Sequence, residues 1–279
     1  GRRLFHSANS MPIDDVPPFR ASLALLPLIG IPVFLAIANQ TMVSVALPAI
    51  GADLGQLRRL PWLVMGYMLA LTVAGPLYGV LGDTWGRARM LQSALVVYII
   101  GALACTLAND VTVLAIGRLV QGLGGGGLMS LSQALISDVV TPRHRGRAQG
   151  NISAISVLAS TLGPLMGGVM VESLGWRSLF LSTVPLALVA MVVLRRWKLP
   201  VQVVTTQRRF DTGGFLTMLA LVFGITAALE LAGNPETQLA AMIGGFAAIV
   251  GLAGLIWTQK RAANPMFPPD LFAIPAISR

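Results

Sequence analysis

The feature that most constrains this chain is a series of eight long apolar stretches, most of them bounded by charged residues, Pro or Asn. Runs of about 18 or more apolar residues are long enough to cross a bilayer as helices. The sequence predicts such spans at roughly 21–48, 62–81, 90–107, 111–139, 152–171, 179–194, 213–231 and 239–257. Only 11% of the residues are charged, as expected for a chain whose solvent is mostly lipid. The predicted fold class is therefore all-α and integral to the membrane, with eight transmembrane helices.

The basic residues predict the orientation of these spans, because Lys and Arg concentrate in cytoplasmic segments. With the N-terminus in the cytoplasm, fifteen Lys and Arg residues fall in interior segments, against Arg58, Arg59 and Arg177 outside. This topology accounts for the net charge of +9, so no nucleic-acid partner is predicted. The expected location is a multi-pass position in a cell membrane, and the Arg-rich, Lys-poor composition and lack of a signal peptide favour a bacterial inner membrane.

Two short segments, three spans apart, match each other. "GPLYG" at 75–79 aligns with "GPLMG" at 163–167, and after one inserted residue, Gly168, Asp83 aligns with Glu172 and Gly86 with Gly175. Because the spacing is odd, the two copies face opposite sides of the membrane. This pattern is typical of an inverted repeat of three helices plus three. The alternative is a chance match in a Gly-rich chain.

The segment after the second span, "GVLGDTWGRAR" at 79–89, combines glycines with an acid and two arginines. Glycines allow backbones to approach closely, and the acid can accept hydrogen bonds from Arg or a helix N-terminus. An ordinary charged loop is the alternative. The segment resembles the cytoplasmic signature between helices two and three of the major facilitator superfamily. Its key residues are Gly79, Gly82, Asp83, Gly86, Arg87 and Arg89.

Three further segments are similar to motifs of the same superfamily, in the expected order. "TMVSVALPAI" at 41–50 resembles the first-helix motif of the 14-helix drug–proton antiporters, "IGRLVQGLG" at 116–124 the fourth-helix motif, and "LASTLGPLMGG" at 158–168 the fifth-helix antiporter motif. The resemblance implies a major facilitator fold, with an amino-terminal six-helix bundle and an inserted helix pair. The implied segments are a cytoplasmic tail (1–20), a six-helix transporter half (21–194), a basic cytoplasmic linker (195–212), the inserted pair (213–258) and a cytoplasmic segment leading to a missing half (259–279).

The resemblance implies a transporter rather than an enzyme. The expected activity is export of small amphipathic compounds or drugs by alternating access, coupled to proton antiport. The implied partners are the lipid bilayer, a small-molecule substrate, protons and a carboxy-terminal half, with no cofactor. Two alternatives remain: an exporter or facilitator of one metabolite without proton antiport, and a truncated membrane remnant that transports nothing.

Arg118 is the one charge deep within a predicted span. A guanidinium there requires an aqueous cavity or a partner, unless it lies close enough to the surface to snorkel. The resemblance links this arginine to proton coupling, with Gln121 beside it. Glu230, near the outer end of the seventh span, is the remaining carboxylate candidate.

Two motifs carry structural roles in the resembled family. Gly163, Pro164, Gly167 and Gly168 would form a hinge in the fifth helix, for which pure packing is the alternative. Asp83 and Arg87 would form an inner latch against the missing half, because the chain itself is expected to supply no helix end for them.

The first-helix motif, Asn39, Thr41 and Pro48, departs from its family at one position. Many of these antiporters carry an aspartate where this chain has Asn39. Since an asparagine cannot exchange a proton near neutral pH, this residue weakens the expectation of proton antiport.

The glycine run "GLGGGG" at 122–127 matches a dinucleotide-binding pattern by spelling alone. Such a site needs a preceding strand and an acidic residue about twenty positions later, and neither is predicted. Close helix packing is the expected role, and no metal-ligand or catalytic cluster is predicted.

Overall fold

A computed structural model describes residues 26–55, 59–140, 142–196, 211–232 and 238–261, in which the regular structure is α-helical. All eight of its helices are long and apolar enough to span a membrane. The predicted tail (1–20), most of the linker (195–212) and all but the first three residues of 259–279 lie outside the described residues.

The eight helices follow the predicted order, and we number them along the chain. They are α1 (Leu26–Leu54), α2 (Pro61–Trp85), α3 (Arg87–Thr106), α4 (Val111–Val139), α5 (Pro142–Leu174), α6 (Arg177–Arg196), α7 (Thr212–Leu231) and α8 (Gln238–Arg261).

Several helices are longer than the apolar runs that predicted them. The largest difference is in α5, which begins at Pro142 rather than near residue 152, so that the basic residues 143–147 are helical and do not form a loop. Its 33 residues reach about 50 Å at about 1.5 Å per residue, well beyond a hydrocarbon core of about 30 Å. The length of an apolar run reflects the thickness of the hydrocarbon core, whereas a helix continues until its backbone leaves the helical conformation. The α2 helix ends in this way at Gly86, which has a φ of 95°.

The helix contacts of the first six helices follow the inverted repeat. Exchanging α1 with α4, α2 with α5 and α3 with α6 converts the α2–α4 contact into α5–α1, α3–α4 into α6–α1 and α2–α3 into α5–α6, all of which are present. The α1–α4 and α3–α6 contacts map onto themselves. This arrangement supports the repeat over the chance match.

Glycines of α4 allow its close packing between α2 and α3. A Cβ atom added at Gly122 would lie 2.5 Å from the carbonyl oxygen of Tyr67 on α2, and one added at Gly124 would lie 2.5 Å from the backbone nitrogen of Tyr98 on α3. The run at 122–127 is therefore a helix-packing surface, as expected.

The last two helices pack chiefly against each other and touch the six-helix bundle mainly at α2. Gly224 on α7 and Gly244 and Gly251 on α8 lie in backbone contact across this pair. At one end, the carboxylate of Asp211 caps α7 by accepting from the Gly214 amide at 2.8 Å and from Gln259 Nε2 of α8 at 2.9 Å.

Candidate functional site

Arg118 lies on α4 with none of its surface exposed. Its Nε donates to the backbone oxygen of Leu63 on α2 at 3.1 Å, and its Nη1 donates to Gln121 Oε1 at 2.8 Å. The same Nη1 donates to Oδ1 of Asn39 on α1, a short contact. Arg118, Asn39 and Gln121, which we call the buried arginine cluster, thus join the central helices α1 and α4.

Two aromatic rings complete the surroundings of this guanidinium. Its carbon lies 4.1 Å from the ring centroid of Tyr67 and 5.9 Å from that of Phe180, within the range of cation–π attraction. The hydroxyl of Tyr67 donates to the backbone oxygen of Ala36 on α1 at 2.8 Å, which fixes the ring. The charge of Arg118 is therefore stabilised by amide dipoles and aromatic faces.

No carboxylate forms an ion pair with Arg118 in the described part of the chain. Three donor atoms of the buried arginine cluster, Asn39 Nδ2, Arg118 Nη2 and Gln121 Nε2, are buried there without a hydrogen-bond partner. Guanidinium and amide groups do not release protons near neutral pH. The cluster can hold a permanent positive charge and take a further acceptor, but it cannot itself exchange a proton.

These contacts decide between two readings of Arg118. A snorkelling arginine would expose its head group, so that alternative is wrong for this structure. The link between Asn39 and Arg118, 79 residues apart, was not predicted. A signal was available, because a buried cation needs an oxygen acceptor, and Asn39 and Gln40 are the two mid-span amides of the helix that the repeat pairs with α4.

Other predicted site residues lie elsewhere or are only partly described. Glu230 lies near the C-terminal end of α7, and its side chain is outside the described residues. Pro48 of the first-helix motif lies within α1 and is exposed. Neither is brought to the buried arginine cluster by what the structure describes.

The antiporter motif packs on the first-helix motif. A Cβ atom added at Gly163 on α5 would overlap Oγ1 of Thr41 on α1, and one added at Gly167 would lie 3.0 Å from the Cα of Met42. Pro164 is half-buried, while Gly168 has no atom within 4 Å of an added Cβ. The expected close helix contact is therefore made by two of the three glycines.

The predicted inner latch is an ion-pair network between three helix ends. Arg87, the first residue of α3, lies 3.0 Å from Asp83 on α2 and 2.7 Å from Asp138 on α4, and it also donates to the backbone oxygen of Ala134. The expectation that Arg87 depends on a helix end outside this chain is therefore wrong, because Asp138 supplies that partner. The partnership of Arg87 with Asp138 was not predicted from the sequence.

The remaining members of the latch motif have distinct surroundings. Gly82 is buried, and a Cβ atom there would lie 2.7 Å from Leu131 Cδ2 of α4, whereas Gly79 has no atom within 4 Å of an added Cβ. Gly86 ends α2 and donates its amide to the oxygen of Gly82 at 3.0 Å. Arg89 is exposed.

A second polar cluster, not predicted from the sequence, lies at the opposite helix ends. Asp53 near the end of α1 lies 2.8 Å from Arg177 at the start of α6. Oδ2 of Asp53 also accepts from the indole Nε1 of Trp176 at 2.9 Å. Arg177 donates in addition to the backbone oxygen of Ala108, in the turn between α3 and α4, at 3.0 Å.

Comparisons with known proteins agree on the family of this chain and on how much of each relative it matches. The family model of the Major Facilitator Superfamily matches residues 29–260. The chain is 34% identical over 244 residues to the multidrug transporter protein MdtP of Bacillus subtilis, covering 87% of this chain and 45% of that protein. It is 34% identical over 252 residues to the MFS-type efflux pump MMF1 of Pseudozyma antarctica, covering 86% and 46%. The chain thus spans about half the length of these relatives.

Solved structures share the fold at low sequence identity. The crystal structure of a D-xylose–proton symporter aligns with a TM-score of 0.57 at 16% identity, over 86% of this chain and 66% of that one. An auto-inhibited POT family peptide transporter aligns with a TM-score of 0.57 at 15% identity, over 86% and 53%.

Proposed function

The chain belongs to the major facilitator superfamily, and on that premise we propose that it is the amino-terminal part of an exporter of small amphipathic compounds. The recognition made from four sequence motifs is confirmed, as is the all-α membrane fold with eight spans. Members of this superfamily are transporters and not enzymes, and the chain has relatives at 30–34% identity that are named multidrug transporters and efflux pumps. Those names support export as the direction of transport.

The observation that carries this proposal is the buried arginine cluster. It connects α1 to α4 at the centre of the six-helix bundle, where transporters with inverted repeats place substrate and coupling sites. A desolvated cation with unpartnered donors around it attracts an acceptor, whether from a substrate or from the rest of the transporter. In our proposal Arg118 and Gln121 bind that acceptor, and its binding is coupled to the change between inward-open and outward-open states.

We propose that proton antiport drives this export, and the geometry restricts where the proton can be exchanged. Because Arg118 is held by the neutral Asn39, the proton-exchanging carboxylate must lie outside the cluster. Glu230 is the candidate within this chain, and the proposed carboxy-terminal half is the other source. The same contact favours a second function, export of one defined metabolite without proton antiport.

We further propose that Gly163, Pro164, Gly167 and Gly168 serve as a hinge and that the helix pair at 213–258 is an insertion between two halves. The hinge is supported by the direct contact of α5 with the helix that carries Asn39. The insertion is supported by the few contacts of α7 and α8 with the bundle. The proposed location is a bacterial inner membrane.

The test is flux through the full-length protein in liposomes. With an imposed proton gradient in which the compartment that receives the dye is the more acidic one, we expect export of a lipophilic cationic dye that stops when a protonophore collapses the gradient. Export that runs down the dye's own gradient and ignores the protonophore would support the uncoupled metabolite exporter instead. No flux of any dye or metabolite in correctly inserted protein would contradict both and support the remnant.

The 279-residue chain alone is the matched control for that experiment. Alternating access in this superfamily rocks one half against the other, so a single half has no partner. We expect the chain alone to move no dye and to aggregate or dimerise in detergent. Robust gradient-driven flux from the chain alone would show instead that two copies replace the two halves.

A further inference from the structure

We propose that Asp53 and Arg177 form an outer latch, the counterpart through the inverted repeat of the inner ion pair between Asp138 and Arg87. The role assigned to it rests on the proposed function, because a latch has meaning only in a transporter that alternates between two states. Neither residue belongs to the motifs that identified the family.

The two ion pairs occupy equivalent places in the two repeats. Arg87 is the first residue of α3, and Arg177 is the first residue of α6. Asp138 stands one residue before the end of α4, and Asp53 one residue before the end of α1. Exchanging α3 with α6 and α4 with α1 therefore converts one pair into the other, and the N–O distances are 2.7 Å and 2.8 Å.

The turns that present the two arginines are built alike, but the second is one residue longer: Gly86 directly precedes Arg87, whereas Trp176 lies between Gly175 and Arg177. Gly86 precedes α3 with a φ of 95°, and Gly175, its partner in the sequence repeat, has a φ of 79°. Each ends the preceding helix and donates its amide four residues back, to Gly82 at 3.0 Å and to Val171 at 3.1 Å. Only glycine adopts such conformations readily, so both repeats use the same device to start the helix with an arginine.

The surroundings of the two arginines differ in exposure and in their acidic partners, since the side chains of the inner pair are 23% and 26% exposed and those of the outer pair 41% and 48%. The inner Arg87 lies between two carboxylates, Asp138 and Asp83. The outer Arg177 has one carboxylate, and its guanidinium carbon lies 4.2 Å from the ring centroid of Trp176, whose indole also donates to Asp53. Glu172, the residue that the repeat aligns with Asp83, forms no ion pair within the described residues. The outer ion pair is thus contacted by the indole of Trp176, whereas the inner one is contacted by a second carboxylate, that of Asp83.

The placement of each latch determines which face it holds together. The inner latch joins the ends of α2, α3 and α4, whereas the outer one joins the ends of α1 and α6 to the α3–α4 turn through the oxygen of Ala108. In an inverted repeat the two faces exchange roles between the inward-open and outward-open states. The two latches therefore bias the same equilibrium in opposite directions.

The experiment measures access of water-soluble thiol reagents to the full-length protein with Cys105 replaced by Ala. Ser44→Cys on α1 reports the outer half, and Ser153→Cys on α5 reports the inner half, because both serines are exposed polar residues within spans. Asp53→Asn is expected to raise labelling at position 44 and lower it at position 153. Asp138→Asn is expected to do the reverse. The shifts should be up to about fivefold, since ion pairs at the protein surface, of which the outer one is the more exposed, are typically worth at most about this factor.

Matched variants separate a latch from a general structural effect. Glu172→Gln removes an exposed acid near the same face and should change neither rate. The exchange Asp53→Arg with Arg177→Asp should return both rates toward the parent. If Asp53→Asn does not insert, Arg177→Lys keeps the charge but loses the planar fork, and should give a smaller shift in the same direction.

Two results would overturn the proposal. One is that Asp53→Asn and Asp138→Asn shift labelling in the same direction. The other is that folded Asp53→Asn leaves both rates unchanged. Opposite shifts in a protein that exports nothing would keep the latch and reject only the proposed export.

Discussion

Asn39 on α1 accepts a hydrogen bond from the buried guanidinium of Arg118 on α4, so the charge in the centre of the bundle is held by a neutral amide. An aspartate in this place would neutralise the arginine and could also carry a proton. With an asparagine, the cluster keeps a net positive charge throughout any transport cycle.

Substitution of Arg118 tests whether its geometry matters beyond its charge. Arg118→Lys keeps a cation but loses the fork that reaches Leu63, Gln121 and Asn39 together. Hydrogen bonds to charged groups are worth about 1.5–3 kcal/mol, so gradient-driven export by the full-length protein should fall about tenfold or more while insertion is retained. Flux normalised to inserted protein is the measurement.

The exposed Arg143, which belongs to none of the motifs, provides the control for this variant. Arg143→Lys is expected to leave export unchanged, because no described contact depends on its fork. Normal export by Arg118→Ala would remove Arg118 from the transport mechanism.

Restoring a carboxylate at position 39 tests the restriction on proton coupling. Asn39→Asp places a proton-exchanging group in contact with Arg118, so export should depend more steeply on the imposed pH gradient than in the parent. Flux measured over a series of gradients at fixed membrane potential gives this dependence. Gln40→Glu puts the same charge one residue along the helix, about 100° around its axis, and should not have this effect. An unchanged gradient dependence in Asn39→Asp would place proton coupling outside the cluster altogether.

The sequence predicted the fold well because lipid imposes a simple rule. Long apolar runs sufficed for the number and order of the helices, and a repeated Gly-Pro segment indicated the inverted repeat that relates them. Helix ends were predicted less well, as at Pro142, because hydropathy reports immersion in lipid and not the end of backbone hydrogen bonding.

The site was predicted only in part. Arg118 was identified because a charge within an apolar span is costly whatever surrounds it. Its partner Asn39 and the outer pair of Asp53 with Arg177 were not, because they depend on distances between helices that are far apart in the chain. A pairwise contact requires a three-dimensional arrangement that a single sequence does not specify.

The contact of Gly163 with Thr41 gives a steric prediction. Gly163→Ala would bring its Cβ into Thr41 Oγ1, and such overpacking costs about 1–3 kcal/mol. We expect lower thermal stability and lower export, both measurable on purified full-length protein. Gly150→Ala on the same helix, outside the hinge motif, is the control, since an added Cβ there meets nothing within 4 Å.

A second substitution can relieve the overlap at Gly163. Thr41→Ala removes the hydroxyl that the new methyl group meets, so Gly163→Ala with Thr41→Ala should recover most of the lost stability. Recovery of stability without recovery of export would assign Gly163 a role in motion, as the hinge requires, and not in packing alone. Equal stability of Gly163→Ala and the parent would contradict the contact itself.

The orientation predicted from the basic residues is tested by reporter fusions. A reporter fused after Lys198 should be cytoplasmic and one fused after Asn234 external, because an odd number of spans, the α7 helix, separates the two points. Activity of an alkaline phosphatase and of a fluorescent protein at each fusion point distinguishes the two sides. Both fusion points on the same side would reject the eight-span topology.

The self-contained packing of α7 against α8 has a consequence for how the chain is made. The two helices are held to each other by glycine contacts in their middle and by the Asp211–Gln259 hydrogen bond at one end. During synthesis, the first six helices can complete their bundle at the translocon before the pair emerges, and the pair can then enter the bilayer as a hairpin. Misfolding of the α7–α8 pair should therefore leave the earlier six-helix bundle intact. The cell's quality-control proteases would then act on two folding units within one polypeptide.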